Sequence, residues 1–226
     1  MASSRLSVFK IKLQGDESWD SIINSVLQMD SEDSHCVISE QSEDYIGGYY
    51  LISIAQNQKI YNFEESKFET VTIKKQNVVK FDIFILSEKM LLWGNKRNSD
   101  ILITTFVQAS HNQIIVDSNK IEYIQVLNNL LAMKDIGFSR MKITNVLIDE
   151  GIVANCSVCL SSLDDPRCMV RKYKNSISQL TILIEKGMNP ISLTLYSSGS
   201  VVISKDRDDI DDEALESINA IVGGKL

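Results

Sequence analysis

One pattern occurs twice in the chain and limits the folds open to it more than any other feature. A run of apolar strand-forming residues is followed by a tight turn, a second apolar run and the acidic start of a helix. The first copy covers residues 81–108, and the second covers residues 191–222, 110 positions further on. A period near 110 residues is too long for a solenoid repeat. It indicates an α+β half-domain that is duplicated once.

Four segments carry apolar residues at the period of an α-helix, and a fifth has proline at its first helical position. Serine, asparagine or aspartate caps the predicted starts, and glycine marks two of the ends. The predicted helices are residues 19–27 with Ser18 as cap, a helix capped by Asn98 or Ser99 that reaches Val107, residues 123–131 with a stop at Gly137, residues 209–222 with a stop at Gly223 and Gly224, and a helix that starts at Asp164, Asp165 and Pro166.

The remaining apolar runs predict strands, among them the alternating segment from Phe9 to Leu13. We therefore predict an α+β fold with a pseudo-two-fold repeat, in which a curved antiparallel sheet carries helices on one face. Residues 1–112 form the first half-repeat, 113–137 the linking helix and 138–226 the second half-repeat. This arrangement leaves the other face of the sheet uncovered, which makes it the expected binding surface.

Composition narrows the function further. The 226 residues include 23 basic and 30 acidic side chains, a net charge of −7, and both halves share the acidic excess. Binding of a polyanion over the whole surface is disfavoured, whereas a local basic patch is compatible with this charge. Uncharged apolar stretches such as 101–109 are far shorter than the ~20 residues that span a membrane. Four cysteines form no disulfide framework, so we expect a reducing intracellular compartment, either cytoplasm or nucleus.

Motifs for catalysis and for metal binding are weak. The two histidines, His35 and His111, stand outside any recognisable motif, and the sequence has no P-loop, G-x-S-x-G or H-E-x-x-H. Cys156 and Cys159 have the spacing of a zinc knuckle, but they lie in a predicted strand, where residues three apart face opposite sides. We expect small core residues there, and we predict no enzyme activity, no metal and no cofactor.

Three short stretches resemble motifs of the TATA-box-binding protein family. Residues 136–146 are similar to the glycine–phenylalanine link and the Ile-x-Asn-Val strand that open the family's second repeat. Residues 193–202 are similar to its Leu-x-x-Phe-Ser-Ser-Gly-Lys hairpin, and residues 84–94 to the version of that hairpin in the first repeat. The order of predicted elements fits the family from about residue 7 to 222. The resemblance implies a ten-stranded saddle that binds DNA through its open face.

The chain departs from this family where the family distorts DNA. Paired phenylalanines of the family are inserted at base steps and kink the duplex. In an ungapped alignment of the second hairpin, the two wedge positions fall on Gln179 and Tyr196, and the Phe-Pro-Gly sequence of the family is absent. The family has two central asparagines. Asn145 is the candidate for one of them, and this sequence offers no candidate for the other. The resemblance therefore implies the saddle without strong kinking of DNA.

We expect a non-enzymatic binding protein, a nucleic-acid-binding or transcription-type factor that acts through its open sheet face. The alternative is a protein–protein interaction subunit of a larger complex on the same fold. Neither a membrane nor a small-molecule substrate is indicated. The residues expected to contact nucleic acid on the open face are Asn145, Thr181, Thr194, Tyr196, Lys74 and Lys75.

The densest basic cluster of the sequence lies in the fifth predicted helix. Its members are Arg167, Arg171, Lys172, Tyr173 and Lys174. Such a cluster is typical of a phosphate-contacting patch, of a protein contact or of a solvated helix face. The family resemblance implies that this helix lies on the convex side of the sheet, where protein partners dock.

Overall fold

A computed structural model describes residues 4–15, 17–117, 123–133, 136–149, 151–185, 189–198 and 200–223. It is an α+β structure whose strand pairs are antiparallel. Contacts divide the chain into two compact units. The first unit is Ile11–Asp117, and the second unit joins Met1–Lys10 to Ser118–Leu226. None of the helices in the described ranges is long and apolar enough to cross a membrane.

The first unit contains strands in the order β2-β3-β4-β5, with the end of β1 joined to it where Ile11 N donates to Glu88 O at 2.8 Å. The bounds of its elements are β1 Ser4–Leu13, α1 Trp19–Gln28, β2 Ser34–Gln41, β3 Tyr45–Asn62, β4 Lys67–Phe84, β5 Lys89–Trp93, α2 Lys96–Ala109 and β6 Ile114–Asp117.

The second unit has the strand order β8-β7-β9-β10-β11, and β11 pairs in turn with Ser4–Leu6 at the start of β1. The bounds of its elements are α3 Tyr123–Ala132, β7 Ile136–Asp149, β8 Ile152–Cys159, α4 Pro166–Tyr173, β9 Ile177–Ile184, β10 Ile191–Tyr196, β11 Val201–Ile203, a short 3₁₀ helix Arg207–Asp209 and α5 Asp212–Gly223.

Helix caps explain where several helices begin. Ser18 accepts a hydrogen bond from Ser21 N at 3.2 Å, which confirms it as the cap of α1. Asp165 caps α4 ahead of Pro166, as predicted. The prediction for α2 was wrong, because Asn95 is the cap and both Asn98 and Ser99 are buried inside the helix.

Glycines account for two further outcomes. The third predicted helix was expected to stop at Gly137, but α3 ends at Ala132 and Gly137 lies in β7. Gly137 pairs with Leu183 of β9, and a Cβ at position 137 would lie at an ordinary contact distance of 3.4 Å from the Leu183 side chain. The last helix ends at Gly223 as predicted, but it begins at Asp212 rather than Asp209, because Asp209 lies in the short 3₁₀ helix and Ile210 after it is extended. Gly224, and Gly199 of the second hairpin turn, lie outside the described residues.

The hairpin followed by a helix occurs in both units, as β4–β5–α2 and as β10–β11–α5. The arrangement of strands around it differs. In the first unit the sheet order follows the chain from β2 to β5, whereas in the second unit β9 lies beside β7 and leaves β8 at the edge. The two-fold superposition of the hairpins and the boundaries of the half-repeats stay predictions.

Both faces of the first unit are buried around β4 and β5. Phe81 packs against Phe106 of α2 with ring centroids 5.6 Å apart, which identifies the helix face. On the opposite face, Asp82 and its register partner Leu91 are also buried, as is Trp93. The expectation of an uncovered second face is therefore wrong for this part of the first unit.

A buried polar network stabilises that second face. Tyr45 Oη donates to one carboxylate oxygen of Asp82 at 2.6 Å, and the Trp93 indole N–H donates to the other. Burial of a carboxylate is costly unless hydrogen bonds satisfy it. Tyr45 can lie across Gly47 because glycine has no side chain. A Cβ at position 47 would lie only 3.0 Å from the Tyr45 ring. Burial also lowers the pKa of Lys89, on the same face, below its ordinary value.

Gly48 permits the close packing of the helix face. A Cβ at this position would collide with the Val37 backbone carbonyl and would lie 2.8 Å from Phe81 Cζ. We expect Gly48→Ala to lower the free energy of unfolding by about 1–3 kcal/mol in chemical denaturation. Gly94→Ala is the control, because its nearest neighbour is a side-chain methyl of Val79 at 3.4 Å. Equal effects of the two substitutions would contradict this account.

Candidate nucleic-acid interface

One face of the second unit packs against helices, and the other is half-open. Phe138 of β7 lies beneath the Arg167 side chain of α4, so the buried residues of each strand define the helix face. The alternate residues form two cross-strand rows on the opposite face. The first row is Arg5, Val202, Thr194, Thr181, Arg140 and Cys159, and the second is Tyr196, Gln179, Lys142 and Ser157. We call these ten residues the row face.

Charge sets the row face apart from the chain as a whole. Arg5, Arg140 and Lys142 are exposed, and none of its ten residues is acidic, although the chain carries a net charge of −7. Arg140 and Lys142 are two residues apart, or roughly 7 Å along the strand. Arg5 lies four strands from Arg140, or roughly 19 Å. Glu185 follows the end of β9 beside Gly137, four positions beyond Thr181.

Polar and aromatic side chains fill the centre of the row face. The Thr181 and Thr194 hydroxyls are 3.1 Å apart and hydrogen-bond across the strands. Tyr196 and Gln179, the two positions that align with the family's wedges, are direct cross-strand partners. Both are partly exposed. Three of the residues predicted for the open face, Thr181, Thr194 and Tyr196, are thus neighbours on one surface.

Asn145 lies apart from the two rows. Its backbone φ of 57° interrupts β7 at a register shift between Ile143 and Val146, and its N–H donates to Asn155 Oδ1 of β8 at 3.3 Å. Asparagine tolerates this left-handed conformation better than most residues. The side chain of Asn145 is exposed, and its backbone marks a bend in the strand.

Lys74 and Lys75 belong to the first unit and are exposed on β4. Successive strand residues point to opposite faces, so the two lysines cannot serve one surface together. Lys74 Nζ also pairs with Asp33 at 3.0 Å. The structure brings neither of them into the row face, which lies within the second unit.

The sequence pattern missed three cations of the row face, namely Arg5, Arg140 and Lys142. Lys142 stands between the buried residues Met141 and Ile143, so alternation could have identified it. The face on which Arg140 lies could not be predicted in this way, because the register shifts between Phe138 and Arg140. In a regular strand, those two residues would share one face.

The basic cluster of α4 separates into two parts. The Arg167 guanidinium donates to the carbonyl oxygens of Leu130 at 3.3 Å, Leu131 at 2.8 Å and Met133, at the end of α3. The last carbonyls of a helix lack partners within it, so Arg167 acts as a C-terminal cap of α3. Its predicted contact with a phosphate or a partner has to compete with these bonds.

The rest of the cluster lies at the end of α4. Arg171 and Lys172 are exposed in its last turn, where cations are favoured by the helix dipole. Lys172 Nζ lies 5.2 Å from the centroid of the half-buried Tyr173 ring. Lys174 is half-buried at the C-cap.

The cysteines face opposite sides of β8, as predicted. Cys156 is in register with the buried Ile143, and Cys159 is in register with Arg140. Cys159 is exposed, so the expectation that both are core residues was wrong, because β8 lies at the edge of its sheet. Hydrogen bonds from Ser161 and Ser162 lower the pKa of the Cys159 thiol. The pKa of Cys36 is raised to about 12, mainly because the thiol is buried and to a lesser extent because of the negative charge of Asp30.

The described residues contain no group of three or more His, Cys, Asp or Glu side chains that could hold a metal ion. No protein-family model matches the chain, and no curated protein sequence matches it. The interpretation of the row face therefore depends on its own geometry and charge.

A second surface stands out in the first unit. Beyond Ile52, β3 pairs with β4 alone in the described residues, and this hairpin arm extends roughly 30 Å from Ile54 to Asn62. At its turn, Tyr61 contacts the rings of Phe63 and Phe68, each with centroids 5.1 Å apart. Phe63 is 86% exposed and Phe68 is 70% exposed. We call these three residues the aromatic tip.

The role of Arg167 can be tested by substitution. We expect Arg167→Ala to lower the free energy of unfolding by about 1.5–3 kcal/mol, because hydrogen bonds to a charged donor are lost at the end of α3. Arg171→Ala, in the exposed last turn of the same helix, should change it by less than about 0.5 kcal/mol. Thermal or urea unfolding measures both values. A larger effect at Arg171 would contradict the capping role.

Proposed function

We propose that the protein is a non-enzymatic nucleic-acid-binding factor, of the transcription type, that binds a single strand or a distorted duplex on the row face. The observation that carries this proposal is the grouping of Arg5, Arg140 and Lys142 with Tyr196 on the row face, none of whose ten residues is acidic. Cations attract the phosphate backbone, and an aromatic ring offers a stacking platform for bases.

The chemistry of the row face divides the contacts by type. Arg140 and Lys142 would contact successive backbone phosphates, because both project from β7 on the same face, roughly 7 Å apart. Gln179, Thr181 and Thr194 offer donors and acceptors between the cations and Tyr196. The side chain of Tyr196 would stack on one base, a contact worth ~1–3 kcal/mol.

The same residues argue against a sharp kink in a duplex. A wedge needs a large rigid apolar ring, because unstacking a base step costs a few kcal/mol. Gln179 opposite Tyr196 is flexible and polar, so this pair cannot repeat a double aromatic insertion. A strand whose bases are already unstacked avoids that cost. We propose an intracellular location for this binding, in agreement with the four free cysteines.

Two substitutions test the proposal with labelled single-stranded DNA. Tyr196→Ala should weaken binding about ten- to a hundred-fold, which corresponds to the loss of one stacked base. Lys142→Gln should reduce the slope of log affinity against log salt by about 0.7, since one phosphate contact disappears. Fluorescence anisotropy across a salt series measures both effects.

Tyr61→Ala and Lys59→Gln provide matched controls, because both residues lie on the hairpin arm of the first unit. They should leave affinity and salt slope unchanged. If the wild-type protein binds neither single-stranded nor duplex DNA at low salt, the proposal is wrong. Equal losses in the control variants would also contradict it.

The alternative function, a protein–protein interaction subunit, is favoured by the aromatic tip. Exposed aromatic clusters of this kind are typical anchors of protein interfaces. Hydrogen bonds hold the turn that carries the aromatic tip. Asn62 Oδ1 accepts from Glu64 N at 3.0 Å and from Glu65 N at 3.3 Å. Glu64, Glu65 and Glu69 lie near it in the sequence, but Lys67 pairs with Glu65 and Glu69. A partner of this tip would therefore carry an apolar recess for its rings.

Site-specific photo-crosslinking in cells tests the alternative. A benzophenone side chain in place of Phe63 should give one discrete adduct, and Phe68→Ser in the same protein should remove it. Leu86 is the control position, since it is 82% exposed in the same unit. Adducts that are the same from positions 63 and 86, or that survive Phe68→Ser, would contradict a docking role for the tip.

A further inference from the structure

The outer edge of the second unit is formed by β8, Ile152–Cys159, the last strand in its sheet order. An edge strand presents a row of backbone N–H and C=O groups to any strand that can pair with them. Natural proteins protect such edges with charges, prolines, bulges or short strands. The composition and geometry of β8 therefore determine whether another strand can join this sheet.

The β8 edge has none of the chemical protections. Its sequence, IVANCSVC, contains no charged residue and no proline. The two register shifts of the β7–β8 pair place the extra residues in β7, so β8 itself runs without a bulge. The edge strand of the first unit, β2, is different, because it carries Glu40 and a shift between Ile38 and Glu40.

Apolar side chains add to the exposure of this edge. Leu147 of β7 is 68% exposed, and its register partner Val153 is 58% exposed. Ile152, next to Val153, is 55% exposed. Exposed apolar residues beside an uncharged edge strand are the features that lead to strand addition between molecules.

We infer that β8 pairs with β8 of a second copy of this chain and forms an antiparallel two-fold dimer. Pairing about an axis perpendicular to the sheet closes the interface, so neither copy keeps a free β8 edge. The strand brings no charge of its own, so self-pairing opposes no like charges across the new ladder. A strand of another protein would have to compete for this edge with β8 of a second copy, which is always present with the chain.

Charge on the neighbouring strand is compatible with this dimer. Arg140 and Lys142 of β7 would lie three strand spacings from their counterparts, or roughly 14 Å. That distance exceeds the screening length of ~8 Å at physiological salt. A perpendicular two-fold axis also keeps the row faces of both copies on the same side of the joined sheet. The inference does not depend on nucleic-acid binding.

Sedimentation equilibrium over about a hundredfold range of protein concentration tests the dimer. We expect reversible monomer–dimer association of the full chain. Val153→Glu with Ser157→Glu should raise the dimer dissociation constant by at least about tenfold, because like charges then face each other across the ladder. Glu at 157 lies opposite Lys142 within its own copy, so the fold gains an ion pair.

The matched control places the same two charges on the hairpin arm of the first unit rather than on β8. Thr70→Glu with Val71→Glu in β4 puts one acid opposite Lys59 and the other opposite Gln58, and it should leave the dissociation constant unchanged. Circular dichroism checks that each variant folds. If the double variant of β8 does not fold, Ser157→Glu alone carries the test.

Hydrogen exchange locates the interface independently. The amides of Ile152–Cys159 should become more protected as concentration rises, whereas those of the β2 edge, Ser34–Gln41, should not. A protein that stays monomeric over the whole range would overturn the inference. A dimer that survives the β8 substitutions would also overturn it, as would a dimer whose hydrogen-exchange protection falls on another surface. Association that occurs only when a peptide strand is added would overturn it as well.

Discussion

Cross-strand register decides which side chains of the second unit meet the helices and which meet solvent. Strand residues alternate between faces, so a shift of one residue exchanges the two sets. The shift between Phe138 and Arg140 is the decisive one. It leaves Phe138 against Ile182 on the helix face and moves Arg140 beside Thr181 on the other. Without it, the Arg140 guanidinium would point at the core, and the row face would lose one of its three cations.

Local physics made part of this structure predictable. Caps such as Ser18 and Asp165 act within three residues, and the strands around Thr194 and Tyr196 alternate without interruption. The parts that failed depend on distant neighbours. Gly137 looked like a helix stop because its partner Leu183 could not be seen in the sequence. The position of Arg140 depends in the same way on a bulge that only its pairing with β9 defines.

The hairpin arm escaped prediction for a different reason. Its strands are exposed on both sides beyond Ile52. Ile60, Val71 and Ile73 share one face of the arm by cross-strand register, but each stays exposed, so this face has no buried core pattern. The candidate site was predicted in part: its hydroxyls and Tyr196 follow the alternation of regular strands. Arg167 was predicted as part of a cationic helix face. Its role as a cap could not be predicted, because it depends on the end of α3, which is distant in the sequence.

The two units use the second face of their sheets in different ways. In the first unit, Asp82 is buried there and needs the hydrogen bonds of Tyr45 and Trp93 to offset the loss of hydration. In the second unit, the cations stay at the surface and keep their water. A polyanion that binds them displaces counterions and mobile water rather than a packed side chain, so the interaction is sensitive to salt.

The pairing of β1 with β11 has a consequence for biosynthesis. Ser4 is in register with Ile203, so β1 completes its ladder with a strand about 200 residues further along the chain. At ~5–20 residues per second, about 200 residues of synthesis separate the two, or roughly 10–40 s. During that interval the apolar side chain of Leu6 lacks Val201, its later register partner. The ladder between β1 and β11 can therefore form only after the other strands of the second unit have been synthesised.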